Sequence, residues 1–136
     1  MSAVDFNTQV INEFRANDGR VGGPFEGAPL LLLHHRGAKS GVERVTPLVY
    51  LADGERHLIF ASKGGTPENP AWFHNLKAHP DTTIEVGSET IAVTAQELTG
   101  EERDRLYERQ ATLMPNFREY QEKTSRKIPV VALTPR

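Results

Sequence analysis

The chain is expected to fold as an α+β domain: a small, mainly antiparallel β-barrel of about six strands with helices on its outside. Three observations predict this. Short strand-like runs are joined by tight turn signals, Asp53-Gly54 and Gly87-Ser88, which favour antiparallel hairpins. No strand–helix–strand repeat recurs, as a parallel sheet would require. The helical stretches are short, and each carries one apolar stripe, as helices packed against a barrel should.

In chain order, residues 2–17 read as a helix. Phe6, Val10 and Phe14 recur at four-residue spacing with Ile11 beside them, so one face is apolar. Ser2 can cap it, Asp5 stands in its first turn, and Asp18-Gly19 stops it. That face either packs on the barrel, lids the site or touches a membrane surface. Arg20 to Pro29 is a glycine- and proline-rich loop. Leu30 to His35 is a strand whose four leucines suggest burial on both faces. His34 and His35 then point to opposite faces and do not easily share a metal. With no carboxylate at ligand spacing, no metal site is assigned.

Residues 43–51 and 56–62 make a hairpin around Asp53-Gly54. A helix runs from Pro70 to about Ala78, with Asn69 as cap, Trp72, Phe73 and Leu76 on its apolar side, and Pro80 at its end. Residues 82–86 and 90–97 pair across Gly87-Ser88, where Ile84, Val86, Ile91 and Val93 alternate. Thr99 and Glu102 form a capping box for the next helix, with Leu106, Leu113 and Met114 inside and the charge run Glu101 to Arg109 solvated. Pro115 breaks it. Asn116 caps a short helix with Glu119 as its partner, which puts Phe117 and Tyr120 on one face. Ile128 to Leu133 is the last strand, where Pro129 marks an edge or a strand start. The organisation is one domain over residues 1–136: helix 1–18, barrel core 30–98, helices 99–125 and last strand 128–134.

Length and composition agree. A chain of 136 residues is one domain by size. At 38% hydrophobic and 25% charged residues it is of soluble globular type, and a net charge of −2 gives no electrostatic case for nucleic acid. There is no cysteine, which excludes disulfides, thiolate metal sites and cysteine nucleophiles. No apolar run reaches membrane-span length and no signal-peptide core is present, so a cytoplasmic protein is expected.

Chemistry concentrates in two glycine-bracketed turns. The first, within HHRGAKSGVERVTPLVYL, holds Gly37, Lys39, Ser40 and Gly41, with Arg44 beside it. Glycines at positive φ let backbone N–H groups converge, and the cations and hydroxyl complete a cradle for a phosphate. An ordinary hairpin turn with solvated charges reads the same way. It is not a Walker A loop, because the spacing is wrong and no helix follows. The second, SKGGTPENPAWFHNL, repeats the theme with Ser62, Lys63, Gly64 and Gly65.

Three stretches, RGAKSGVERVTPLVYL, ASKGGTPENPAWFHNLKAHP and NFREYQEKTSRKIPVVALTP, together resemble the deazaflavin-dependent nitroreductase family of actinobacteria, over about Phe6 to Pro135. The resemblance implies a split β-barrel of the FMN-binding type and the coenzyme F420. It implies hydride transfer from reduced F420 to a quinone, nitroaromatic or enone. By the same resemblance, Lys39, Ser40, Gly41 and Arg44 would take the coenzyme phosphate, and Arg36, Lys39, Arg44 and Lys63 its acidic tail. Thr46, Pro47, Ser62, Lys63 and Gly64 would take the ring, with Trp72 and Asn75 on the following helix. Core packing for Trp72, and a helix-to-loop hydrogen bond for Asn75, are equally open. Met114, Phe117 and Tyr120 would face the acceptor, and Tyr120, Ser62 or solvent would supply its proton. The relatives' tyrosine-rich segment is here MPNFREY, which suits an apolar planar acceptor such as a quinone. An FMN- or haem-binding split barrel and a non-catalytic F420 carrier stand as alternatives. Peripheral membrane contact is consistent with the first helix, and the assembly is a monomer or homodimer.

Overall fold

The computed structural model describes residues 3–25 and 27–136. Along the chain come α1 (Ala3–Ala16), β1 (Leu30–Arg36), β2 (Glu43–Val49), β3 (Leu51–Asp53), β4 (Arg56–Phe60), α2 (Ala71–Ala78), β5 (Asp81–Val86), β6 (Glu89–Leu98), α3 (Gly100–Leu113), α4 (Asn116–Glu122) and β7 (Val130–Pro135). The strands form one seven-stranded sheet in the order β2-β1-β5-β6-β7-β4-β3, and its ladders are antiparallel.

The expected count of about six strands becomes seven because the run 43–51 breaks at Tyr50. There the N–H donates to the carbonyl of Pro29 at 3.0 Å. The chain before the break pairs with β1, and the chain after it pairs with β4. β2 and β3 are therefore one strand in sequence and the two opposite edges of the sheet. A sheet whose edges are joined by one residue must curl until they meet, so the strands close into a barrel. The closure is split: among the described residues β2 pairs with β1 alone, and its other backbone edge lies open.

The four leucines of β1 explain its burial. Leu31 and Leu33 point into the barrel with Ile59, Ile84, Val93, Val131 and Leu133. Leu30 and Leu32 point outward beneath Val10 and Phe14 of α1, with Val45 and Val49 alongside. Each such leucine contributes about 1.5–3 kcal/mol of burial. A third cluster lies outside β3, β4 and β7, where α3 and α4 cover Leu58, Phe60, Val130 and Ala132. The apolar face of α1 thus packs on the barrel, and Arg15 of that helix pairs with Glu85 of β5 at 2.7 Å. The cap expected at Ser2 lies outside the described residues, as does the side chain of Asp5. Gly19, at φ +94, ends α1 against the β5–β6 turn; a Cβ there would meet Gly87 Cα at 2.8 Å.

Four local expectations are corrected. The cap of α2 is Pro70, and Asn69 instead accepts from Arg126 Nη1 at 2.8 Å. Thr99 does precede α3, but no capping box forms, because Glu102 is drawn to Arg56 of β4 at 3.0 Å. Leu113 is 64% exposed, and the inner stripe of α3 is Arg103, Leu106, Tyr107, Gln110 and Ala111. Asn116 lies inside α4 and donates to the Tyr120 hydroxyl rather than capping the helix. Pro129 marks a strand start: β7 runs between β6 and β4, inside the sheet.

Candidate functional site

Strand registers put both glycine turns at one end of the barrel. Leu33 pairs with Ile84, Asp81 with Thr94, Leu98 with Val130, and Val130 with Phe60. The C-terminal ends of β1, β4 and β6 and the N-terminal ends of β2, β5 and β7 therefore share this end. The first turn, 37–42, joins β1 to β2. The second, from Ser62, leaves β4. β2 borders the split on one side, and the end of β4 that the short β3 leaves uncovered borders it on the other, so the two turns stand on opposite banks. α2 crosses the same end, burying Trp72, Phe73 and Leu76 in the barrel core.

The first turn is ordered by its own bonds. The Gly37 N–H donates to the Val42 carbonyl and the Gly41 N–H to the Gly37 carbonyl, each at 2.9 Å. Ser40 Oγ accepts from the Val42 N–H at 3.2 Å. The Ala38 N–H donates to Asn75 Oδ1 at 3.0 Å, so α2 holds the turn in place. The amides of Lys39 and Ser40 have no protein acceptor among the described residues, and both side chains face solvent. The converging set is thus smaller than the sequence suggested: two amides, a hydroxyl and the Lys39 and Arg44 cations.

Asn75 is fixed in turn by His35. Its Oδ1 is taken by the Ala38 amide, so its Nδ2 donates to His35 Nδ1 at 2.9 Å. His35 Nε2 then carries the ring proton and donates to Thr46 Oγ1 at 2.8 Å. Burial, with Arg44 and His34 adding to it, lowers the His35 pKa to about 4, which keeps the ring neutral. His34 does point the other way, between Glu43 and Glu85. Thr46 and Pro47 pair with Leu33 and Leu32, so their side chains lie on opposite faces of β2. As successive residues of a strand they also turn their backbone groups to opposite edges, so they share neither a side-chain surface nor a backbone edge.

The second turn is unusual. Ser62 is right-handed at φ −74, whereas Lys63 and Gly64 are left-handed at φ +45 and φ +65. A right-handed residue followed by a left-handed one gathers successive N–H groups into an anion-binding concavity. Here the amides of Ser62, Lys63 and Gly64 have no protein acceptor among the described residues. Of the cations Arg36, Lys39, Arg44 and Lys63, Lys63 alone among the described residues stands within salt-bridge distance of a carboxylate, Glu68 at 3.9 Å.

α4 packs on this turn. A Cβ on Gly65 would meet the Tyr120 carbonyl oxygen at 2.7 Å, so the approach requires glycine. Phe117 is buried between Phe60 and Tyr120, with ring centroids 5.6 and 5.3 Å away, and is corrected from an open lining residue to a core one. Met114 and Tyr120 keep exposed surface. Tyr107, whose pKa burial pushes up to about 12, donates to the Phe117 carbonyl at 2.6 Å and anchors the helix. The Tyr120 hydroxyl accepts from Asn116 and retains its own proton to give. Trp72 takes the packing role left open for it, and Asn75 takes the helix-to-loop bond. Sequence reasoning missed the parts played by His35, Tyr107 and Arg126; only the fold brings His35 to the brace of the first turn, Arg126 to the second turn and the Tyr107 hydroxyl to α4.

The sequence pattern of the F420H(2)-dependent quinone reductase family matches residues 7–135. The F420H(2)-dependent quinone reductase Rv1261c of Mycobacterium tuberculosis is 46% identical over 127 residues, covering 90% of this chain and 85% of that protein. Among solved structures, the F420-H2 dependent reductase FDR-A superposes with a TM-score of 0.71 at 39% identity, over 77% of this chain and 93% of its own. A domain-swapped dimer does so at 0.73 and 36% identity, over 96% of each chain. HutZ, a haem storage protein of Vibrio cholerae, shares the fold at 0.62 with 14% identity, over 96% of this chain and 90% of its own. The fold is therefore a split β-barrel, and the chain belongs to the F420H(2)-dependent quinone reductase family.

Proposed function

We propose that the split mouth binds reduced coenzyme F420 and that the protein uses it to reduce a quinone. The observation that carries this is the pairing of free amides with cations on the two banks of one cleft, in a chain of this family. The coenzyme carries a phosphate and an acidic tail on one side and an apolar ring with a polar edge on the other. Lys39, Ser40, Gly41 and Arg44 suit the phosphate, and Arg36 and Lys63 extend the basic path for the tail. The amides of Ser62, Lys63 and Gly64 and the open edge of β2, in the stretch that holds Thr46 and Pro47, suit the ring edge. Trp72 and Asn75 act from behind, as floor and brace.

When bound, the reduced deazaflavin supplies the hydride. The chain orients it, excludes water and delivers a proton to the acceptor. Two electrons and one proton arrive as hydride, and a second proton completes the quinol. Tyr120 is the proposed donor, with Ser62 as the alternative; both flank the contact between α4 and the second turn. Met114 and Tyr120 offer a flat apolar acceptor its surface, and a nitroaromatic or enone of the same shape is a secondary acceptor. The likeness to a domain-swapped dimer supports a homodimer as the assembly.

The deciding experiment titrates the purified protein with F420 and with FMN, then follows oxidation of reduced F420 by menadione. Binding of F420 with turnover, and a primary isotope effect from deuteride at C5 when transfer limits the rate, is the expected result. F420 binding without turnover on any quinone, nitroaromatic or enone would make the protein a carrier. Tight FMN binding without F420 binding would overturn the cofactor assignment.

A further inference from the structure

We propose that Arg126 is a positioning residue for the coenzyme site: it turns the Ser62 and Lys63 amides toward the ligand by holding the carbonyls behind them. The inference rests on the reading of the split mouth as the F420 site. The guanidinium donates to four acceptors of one loop: the carbonyls of Ala61 (3.1 Å), Ser62 (2.8 Å) and Thr66 (2.9 Å), and Asn69 Oδ1 (2.8 Å). A trans peptide points its C=O and N–H in opposite directions within one plane. With the carbonyls of Ala61 and Ser62 turned to Arg126, the N–H groups of Ser62 and Lys63 must face away from it. Neither has an acceptor among the described residues, so both are free for a ligand.

The same side chain reaches both ends of the turn, which holds Lys63 at a φ of +45 that few non-glycine residues adopt. Lysine cannot reproduce this, because only a guanidinium offers a planar fork of donors. Arg126 is itself fixed to the end of α4: its carbonyl accepts from Gln121 Nε2 at 2.7 Å, and its N–H donates to Thr124 Oγ1 at 3.3 Å. No carboxylate stands within salt-bridge distance of it among the described residues. Its charge is met by carbonyl dipoles, and a positive charge behind the amides strengthens their pull on an anion or a ring oxygen.

Arg126→Ala and Arg126→Lys test this, with thermal unfolding, F420 affinity by fluorescence quenching, the KM for menadione, and amide NMR of the coenzyme-free protein. Both variants are expected to fold and to lose about tenfold or more in F420 affinity, the loss of a charge-assisted contact. The KM for menadione should hold, and the Ser62 and Lys63 amide resonances should move. Dilute guanidinium chloride should restore affinity to Arg126→Ala, where potassium chloride at equal ionic strength does not. Variants that fold and bind as the parent does, or leave those amide resonances in place, would overturn the proposal. So would failure of both to fold, which would make Arg126 a residue of the fold. If the parent protein does not bind F420, the function reading fails, while the amide spectra still decide whether Arg126 sets the turn.

Discussion

His35 is 5% exposed on the inner side of β1, held between Thr46 and Asn75. Its Nδ1 must accept from the Asn75 amide, so protonation there would break the bond that steadies the first turn. The folded pKa of about 4 lies below the ordinary 6.5, and protons therefore favour the unfolded chain. This contribution to stability is complete above about pH 6.5 and is lost as pH falls toward 4. His57, whose pKa burial also lowers and whose Nδ1 has no partner among the described residues, acts in the same direction. The urea midpoint should drop between pH 6.5 and 4 in the parent, and drop less in His35→Gln. An equal drop in both would remove His35 from this role. At Tyr120 the expectation is kinetic. Tyr120→Phe should slow menadione reduction by about a hundredfold, the lower end of the range for a lost proton donor, with F420 affinity kept. Lost affinity at an unchanged rate would move Tyr120 to the coenzyme side.

At the scale of elements, α4 and the second turn act as one unit. Gly65 at φ +83 leaves no room for a Cβ against the Tyr120 backbone. Gly65→Ala therefore strains the turn and pushes α4 outward together. The expected cost is about 2 kcal/mol, from the forced left-handed backbone and the lost contact, read as a lower urea midpoint. Turnover should fall with it, since Tyr120 rides on that helix. A variant of parental stability and rate would show the two elements to be independent. Element types were legible from periodicity and turn residues; their ends were not. Thr99 and Glu102 fit a capping box by spacing, but Arg56 lies 46 residues away in sequence and competes for the same carboxylate. Leu113 matched the helical stripe, yet a stripe seen in sequence does not say where the neighbouring strand stops.

For the whole molecule, a net charge of −2 hides a basic mouth. Arg36, Lys39, Arg44 and Lys63 gather there because the barrel brings two distant turns to one end. F420 affinity should rise with the number of glutamates in its tail and weaken with salt, as exposed charges are screened within about 10 Å at 0.1 M. Lys39→Ala should cost about 1.5–3 kcal/mol of binding, roughly ten- to hundredfold, and flatten the salt dependence. An intact fold with unchanged affinity would remove Lys39 from the site.

The sequence alone determined the α+β class, the hairpins at Asp53-Gly54 and Gly87-Ser88, the doubly buried leucine strand and the cation-bearing glycine turns. Each is a local property, written in periodicity or in residues that permit positive φ. Only the tertiary structure decided that residues 43–51 serve both edges of the sheet, because a break at Tyr50 is set by which strands remain to be paired. It likewise decided that Phe117 is core, that Asn75 braces the first turn, and that Arg126 braces the second. A polar side chain takes the partner that burial leaves it, and Arg126 lies 60 residues from Thr66, 64 from Ser62 and 65 from Ala61, beyond any local pattern.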